Sequence, residues 1–163
     1  ERVARVACGA GCLPRKELYE AWEMARRVRR RVRGGRVIDW ACGHGLLAHV
    51  MLILDDTSPS AVAFDTRLPK SADKLQYALH NAWPRLQDRV ALVEATQGPS
   101  PKAGDVVVSC HACGGLTDEV LHRLGRIPIP FVRQMVTQKV ADTARAEGIA
   151  LVDVAFFERA ATF

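Results

Sequence analysis

The chain has no apolar run long enough to cross a membrane. The longest run, residues 46–54, is interrupted by His49, whereas a transmembrane helix needs about 20 apolar residues. No cleavable signal pattern opens the sequence, and its five cysteines are an odd number without the density of a secreted disulfide scaffold. These absences argue against the membrane and disulfide-rich classes, so we expect no membrane partner and a reducing, cytoplasmic location.

Positive charge is concentrated at the beginning of the chain. Residues 1–36 hold 11 of the 23 lysines and arginines and only 4 acidic residues, whereas the remainder holds 12 basic and 14 acidic residues. The pattern predicts a loop and then one helix that begins near Pro14, carries six arginines in residues 26–33 and ends at Gly34. Those arginines could bind RNA or a partner protein, or they could form a solvated helix face. The lack of interleaved aromatic residues favours the solvated face.

The most informative stretch joins a short apolar run to two glycines. The run ends at Asp39, and Gly43 and Gly45 follow before an apolar pattern at helical spacing. This order predicts a buried parallel strand that turns tightly into a helix. Glycine allows the turn and a close approach of ligand to backbone, and the first N–H groups of the helix point at the same place. A plain strand–turn–helix without a ligand is the alternative interpretation.

This stretch resembles motif I of the class I S-adenosylmethionine-dependent methyltransferases. The matching residues are Asp39, Ala41, Gly43 and Gly45. The resemblance implies that S-adenosylmethionine is the cofactor and that these residues bind it, with Cys42 as a small buried residue whose thiol lies near it. A nucleotide-dependent oxidoreductase is a competing interpretation, but Ala48 stands where the dinucleotide fingerprint has its third glycine.

A second acid ends the next predicted strand. Residues 61–65 are apolar up to Asp65, which lies 26 residues after Asp39. In a strand–helix–strand nucleoside site, an acid at this position accepts hydrogen bonds from the ribose hydroxyls. In the resembled methyltransferases it binds the ribose of the methyl donor, and Thr66 and Arg67 are then predicted to flank the adenine.

Two further strands are predicted over residues 89–95 and 105–111. The resemblance implies that an acid near the end of the first of these strands contacts the adenine amino group. Glu94 and Ala95 are the predicted residues, to within one or two positions. The second strand has a polar carboxyl end that includes Ser109, and the resemblance places it opposite the methyl group. His-Ala-Cys-Gly at residues 111–114, followed by Thr-Asp, resembles the family of the methyltransferase-like 25 proteins, which is related to a tRNA ribose methyltransferase.

His111 has three possible roles. It could be a general base, a metal ligand together with Cys110 and Cys113, or a polar residue that lines the cofactor pocket. A structural zinc site needs four nitrogen or sulfur ligands, commonly in two close pairs, so we expect no metal. The pocket-lining role is favoured, and His111 is our candidate catalytic residue.

The predicted fold is a Rossmann-like, doubly wound α/β domain with a mostly parallel sheet. Residues 1–163 are expected to form one domain, in which residues 1–35 precede the core. Beyond residue 124, Pro128 and Pro130 stand where a fifth central strand is expected, so the sheet is predicted to be truncated or to lack segments there. A helix over residues 132–147 and a strand over 149–157 are predicted next.

The predicted function is methyl transfer to an unidentified RNA or protein acceptor. A catalytically silent Rossmann-like binding domain is the alternative. It is favoured by one difference: the resembled family has a Cys-Cys-His segment near the substrate, and this chain lacks it.

Overall fold

A computed structural model describes residues 1–110, 120, 122, 131–133, 142, 145–146 and 151–153. Six strands form one parallel sheet in the order β3-β2-β1-β4-β5-β6. The strands are β1 (Val37–Trp40), β2 (Ala61–Asp65), β3 (Val90–Glu94), β4 (Val106–Ser109), β5 (Phe131–Arg133) and β6 (Leu151–Asp153). The direction in which successive strands are added to the sheet reverses between β1 and β4. Open α/β sheets bind their ligands in the crevice at such a switch point, outside the carboxyl ends of the strands. The predicted Rossmann-like fold is confirmed.

The helices are α1 (Arg2–Ala10), α2 (Arg15–Arg31), α3 (Leu46–Leu54) and α4 (Ala72–Ala82), with a short 3₁₀ turn at Pro84–Leu86. Helix α3 follows β1 and packs against α2, and its residues 46–52 are all buried because its sequence is apolar on nearly every side. Helix α1 packs against α4, where the Arg2 guanidinium lies 4.8 Å from the centre of the Trp83 ring and donates to the carbonyl of Ala82. Residues 1–13 were predicted to be a loop, and α1 corrects that prediction.

The sheet continues beyond β4, contrary to the expectation of a truncated sheet. Strand β5 pairs in parallel with β4 through Phe131 opposite Val107, and it follows the two prolines instead of containing them. The helix predicted over residues 132–147 is therefore wrong at its start, although residues 142, 145 and 146 are helical. The strand predicted over 149–157 is confirmed at Leu151–Asp153. Residues 124–130, where a break was predicted, lie outside the described residues.

Candidate cofactor site

The turn after β1, residues 41–45 (the glycine turn), carries three left-handed residues. Ala41 has φ 58°, Gly43 has φ 54° and Gly45 has φ 73°. A Cβ on Gly45 would lie 2.5 Å from Cδ2 of Leu92, whereas a Cβ on Gly43 would meet no atom within 4 Å. Gly45 is therefore required by packing inside the protein, and Gly43 leaves open space on the outer side of the turn.

Asp39 lies under the glycine turn with its side chain fully buried. Its Oδ2 accepts the N–H of Ala48 at 3.1 Å, in the first turn of α3, but its Oδ1 has no hydrogen-bond partner among the described residues. Burial raises the pKa of Asp39 to about 8, the bond from Ala48 opposes that shift, and the negative charge of Asp65 adds to it. A half-satisfied buried carboxyl is unusual, and it would suit a cationic ligand.

Asp65 connects the end of β2 to the glycine turn. Its Oδ2 accepts the N–H of Gly43 at 3.0 Å, and its Oδ1 accepts the N–H of Arg67 at 3.3 Å. The hydroxyl of Thr66 lies 3.5 Å from Oδ1, and both Thr66 and Arg67 are exposed at the edge of the crevice. The two acids predicted from the sequence thus lie at one site, on neighbouring strands.

Glu94 and Ala95 join the same edge of the sheet. The Glu94 Oε2 accepts the N–H of Leu68 at 2.7 Å, and the N–H of Ala95 donates to the carbonyl of Asp65 at 3.2 Å. These bonds hold the loops after β2 and β3 together, so both residues border the crevice. Each Glu94 oxygen can accept more than one bond, which leaves this carboxylate able to bind a further donor.

Ser109 has a different environment from the other predicted residues. It is fully buried, and its hydroxyl donates to the carbonyl of Trp40 at 2.6 Å, which connects the carboxyl ends of β1 and β4. Cys42 is buried with its Sγ 3.6 Å from the carbonyl of Gly43, and burial raises the pKa of its thiol. Both residues border the switch point. His111, the candidate catalytic residue, lies outside the described residues.

A small cleft opens beside Asp39 and the glycine turn. Helix α2 and the loop before it form one wall, with Leu13, Glu17 and Ala21, and Cys110 after β4 lies on the other side. Neither Glu17 nor His44 was predicted to lie at the site. His44 could have been predicted from its position between the two glycines. Glu17 could not, because it reaches the site only when α2 packs on α3.

His44 connects three elements at this cleft. Its Nε2 lies 3.0 Å from the hydroxyl of Ser71 at the start of α4, and its Nδ1 lies 3.9 Å from the carboxylate of Glu17 on α2. The first turn of α2, the glycine turn and the start of α4 therefore surround one opening at the carboxyl edge of the sheet.

The arginine-rich end of α2 lies away from this cleft. Helix α2 has 17 residues, and a rise of about 1.5 Å per residue puts Arg30 and Arg31 roughly 20 Å beyond Glu17. Arg29, which was grouped with the exposed arginines, is buried: it forms an ion pair with Asp55 at 3.1 Å and donates to the Ser58 hydroxyl at 2.7 Å. Arg29 therefore has no part in a solvent-facing basic surface.

Comparison with known proteins identifies the class. Residues 15–153 match the Methyltransferase domain family, and the chain belongs to it. No curated protein matches the chain. The narrower resemblance to the methyltransferase-like 25 proteins stays a prediction.

Solved structures share the fold at low identity. Precorrin-6y C5,15-methyltransferase from Geobacter metallireducens is 18% identical, with a TM-score of 0.57 over 77% of this chain and 67% of its own. A protein from Pyrococcus horikoshii classed as an RNA methyltransferase is 14% identical, with a TM-score of 0.54 over 87% and 77%. One from Methanococcus maripaludis classed as an S-adenosyl-L-methionine-dependent methyltransferase is 18% identical, with a TM-score of 0.50. That alignment covers 80% of this chain but only 63% of the Methanococcus protein.

The chain is thus a methyltransferase domain. The site fits S-adenosylmethionine, a cationic methyl donor, on two observations: the Oδ1 of Asp39 is a buried acceptor without a partner among the described residues, and the outer side of Gly43 is open. Within the part of the chain that the structure describes, no three His, Cys, Asp or Glu side chains gather as metal ligands. None of the described helices has the length and apolar content needed to span a bilayer.

Proposed function

We propose that the crevice above β1 and β2 binds S-adenosylmethionine and that the domain transfers the sulfonium methyl to a nucleophile presented at the cleft. One observation carries the proposal: Asp65 accepts the N–H of Gly43 at 3.0 Å, which brings the acid of β2 and the glycine turn together above the half-satisfied Asp39. A second acceptor and an open backbone cradle beside a buried, unpaired carboxyl form a site for a nucleoside that carries positive charge.

Asp65 binds the ribose hydroxyls in this proposal. Its two oxygens already accept backbone N–H groups, but each carboxylate oxygen has a second lone pair, so both hydroxyls can still donate to it. In the same proposal Thr66 and Arg67 flank the adenine, and Glu94 and Ala95 lie beside the adenine amino group. The hydrogen bonds between the loops after β2 and β3 support this arrangement.

Asp39 receives the ammonium group of the methionine part. The cleft puts Cys42, His44 and Glu17 around the same space, so this end of the cofactor would lie between β1 and α2. Gly43 and Gly45 complete the cradle beside Ala41, and Ser109 supports it from below by holding β1 against β4.

The cofactor supplies an electrophilic methyl, and attack by the acceptor forms the new bond as the carbon–sulfur bond breaks. The residues of the chain contribute position and orientation, which can supply much of the rate enhancement when the two reactants are aligned. His111 follows β4 in sequence, and we propose it as the catalytic residue that takes the proton that the acceptor loses or orients the acceptor.

The chain is proposed to act as one domain of residues 1–163. Helix α2 supports this because residues 1–35 do not merely precede the core: they supply a wall of the cleft. A cytoplasmic location is proposed on the cysteines, since the four that the structure describes are all free thiols.

Calorimetric titration of S-adenosylhomocysteine into wild type and Asp65→Ala tests the site. Hydrogen bonds to a charged group contribute about 1.5–3 kcal/mol each, so Asp65→Ala should weaken binding by about tenfold to several hundredfold, and Asp65→Asn by less. Asp73→Ala removes an exposed acid from the first turn of α4 and is the matched control, with unchanged affinity expected.

Two further measurements separate the alternatives. Binding of NAD in place of S-adenosylhomocysteine would favour the oxidoreductase. Tight binding of S-adenosylhomocysteine without transfer of a radiolabelled methyl to any RNA or protein fraction would favour the silent binding domain. Equal affinity of wild type and Asp65→Ala, together with a lowered melting temperature, would show that Asp65 is structural and that the proposed ribose site is wrong.

A further inference from the structure

Two carboxylates from different elements line the cleft beside the glycine turn. Asp39 belongs to β1, and Glu17 lies in the first turn of α2. Their charges act on the same thiol, that of Cys110, which also lines the cleft. Burial is the main cause that raises the pKa of this thiol, and the negative charges of Asp39, Glu20 and Glu17 add to the rise in that order. The two lining acids therefore act on one small space.

The carboxylate of Glu17 has no hydrogen-bond partner among the described residues. Its one ionic contact there is with Nδ1 of His44, at 3.9 Å, which is too long for a hydrogen bond. The other two acids of α2 differ from it, because Glu20 and Glu23 each form an ion pair with a basic residue of the same helix. Glu17 is thus the acid of α2 that the described part of the chain leaves without a lysine or arginine, and it is the one that lines the cleft.

Asp39 gives the independent observation that a ligand belongs between these acids. Its side chain is 1% exposed, and its Oδ1 accepts no hydrogen bond from any described residue. A buried acceptor without a donor is uncommon in a folded protein. Together with Glu17 it calls for a ligand group that is positive and donates several hydrogen bonds. A primary ammonium group donates three, whereas a sulfonium has charge but no N–H or O–H to donate.

We infer that Glu17 and Asp39 together bind the ammonium group of the methionine part of the cofactor, and that this pair selects against adenosine thioethers without an amino group. The inference rests on the proposed function, because it requires S-adenosylmethionine in the crevice. It gives helix α2 a part in cofactor specificity, since Glu17 reaches the ligand from α2 while Asp39 reaches it from the sheet.

Calorimetric titration of two ligands tests the inference. S-adenosylhomocysteine has the ammonium group without the sulfonium, and its deaminated analogue keeps the adenosine, the thioether and the carboxylate. Wild type should bind the deaminated analogue at least about tenfold more weakly than S-adenosylhomocysteine. Glu17→Gln should weaken binding of S-adenosylhomocysteine by about tenfold, the low end for a hydrogen bond between charged groups, because Glu17 is partly exposed. The same variant should change the affinity of the deaminated analogue by less than about threefold, because that ligand has no ammonium group to lose.

Glu23→Gln is the matched control. It makes the same change on the same helix, at an acid that pairs with Arg27 at 2.8 Å and does not line the cleft. The affinities of both ligands should stay as in wild type. The deaminated analogue also controls for folding, because a damaged cleft would bind both ligands more weakly.

Three results would overturn the inference while the cofactor site stands. The first is unchanged S-adenosylhomocysteine affinity in Glu17→Gln. The second is an equal loss for both ligands, because Glu17 would then act through packing. The third is equal binding of both ligands by wild type, because the amino group would then not be recognised. If wild type does not bind S-adenosylhomocysteine at all, the proposed function itself fails.

Discussion

Replacing Asp39 by asparagine should make the ligand-free domain less sensitive to pH. The Asp39 carboxyl is fully buried, and within the described part of the chain only Oδ2 has a partner, the N–H of Ala48. Asparagine keeps a carbonyl oxygen for that N–H and has nearly the same shape, but it cannot ionise. The variant therefore removes the charge while it retains the bond between β1 and α3.

The magnitude follows from the pKa of Asp39, which burial raises from 3.8 to about 8 in the folded protein. Between these two values the folded state holds a proton on Asp39 that the unfolded chain has released. The contribution of Asp39 to stability is therefore most favourable below about pH 4 and is lost as the pH rises toward 8. The slope is at most about 1.4 kcal/mol per pH unit, which amounts to about 4 kcal/mol between pH 5 and pH 8. For a domain of this size that corresponds to roughly 10 °C in melting temperature.

Urea denaturation of wild type and Asp39→Asn at pH 5, 6, 7 and 8 measures this slope. The stability of the variant relative to wild type should rise steadily with pH. His49 is buried, which lowers its pKa to about 4, and it titrates in both proteins, so the difference between them isolates Asp39. Parallel stability profiles for the two proteins from pH 5 to pH 8 would refute the reasoning, because Asp39 would then be ionised in the folded state.

The same variant tests the cofactor role of Asp39. If the ammonium group binds at the free Oδ1, it lowers the pKa of the carboxyl, so binding at pH 6.5 should release close to one proton from wild type and none from Asp39→Asn. Calorimetry in two buffers of different ionisation enthalpy counts that proton. A count of zero in wild type would mean that the ammonium group binds elsewhere.

Two further predictions concern packing and a buried ion pair. Gly45→Ala should lower the free energy of unfolding by about 2–4 kcal/mol, because its Cβ would lie 2.5 Å from Leu92 Cδ2 at a left-handed φ. Gly43→Ala should lower it by only about 1 kcal/mol, because a Cβ there meets no atom within 4 Å, but it should weaken S-adenosylhomocysteine binding. Urea denaturation and calorimetric titration measure the two effects. Arg29→Met should lower the free energy of unfolding by up to about 3–5 kcal/mol, because Asp55 loses its buried partner and keeps only the exposed Arg33 at 3.8 Å. Arg30→Met, at an exposed position, should stay within about 0.5 kcal/mol in the same assay.

The sequence was most informative where local chemistry determines the backbone. The turn after Asp39 and the strand that ends at Asp65 were both predictable, since a buried parallel strand is short and apolar and the turn needs glycine. Helix α1 was missed because its buried residues are mostly alanines and Gly9 lies inside it, which weakens the helical pattern. Strand β5 was missed because three residues are too few to show alternation.

The remaining site residues depend on tertiary packing. Nothing near Glu17 in the sequence shows that it reaches the glycine turn, because the two are brought together only when α2 packs on α3. Arg29 is similar: it stands in a run of arginines, and its partner Asp55 follows α3, 26 residues later. A run of like charges does not reveal which member lies on the inward side until the neighbouring helix is known.

Buried charged side chains have different environments at the two edges of the sheet. At the amino edge, the Arg29 guanidinium meets Asp55, the Ser58 hydroxyl and the Met51 carbonyl, and Asp55 in turn accepts the N–H of Gly34 at 2.8 Å. Burial alone would raise the pKa of Asp55, but hydrogen bonds from the Thr57 hydroxyl, the Gly34 N–H and the Thr57 N–H, together with the Arg29 charge, hold it below its ordinary value.

At the carboxyl edge, Asp39 is as deeply buried, yet one oxygen has no partner among the residues that the structure describes, and the pKa of the carboxyl is raised. A buried charge whose bonds are complete within the protein can be explained by folding alone. A carboxyl that destabilises the ligand-free protein cannot, because asparagine would give the same backbone bond at lower cost. The missing partner of Asp39 is therefore expected to come from outside the chain. Its position beside an open glycine turn and the second acid, Asp65, is the reason to look for that partner in the cationic methyl donor.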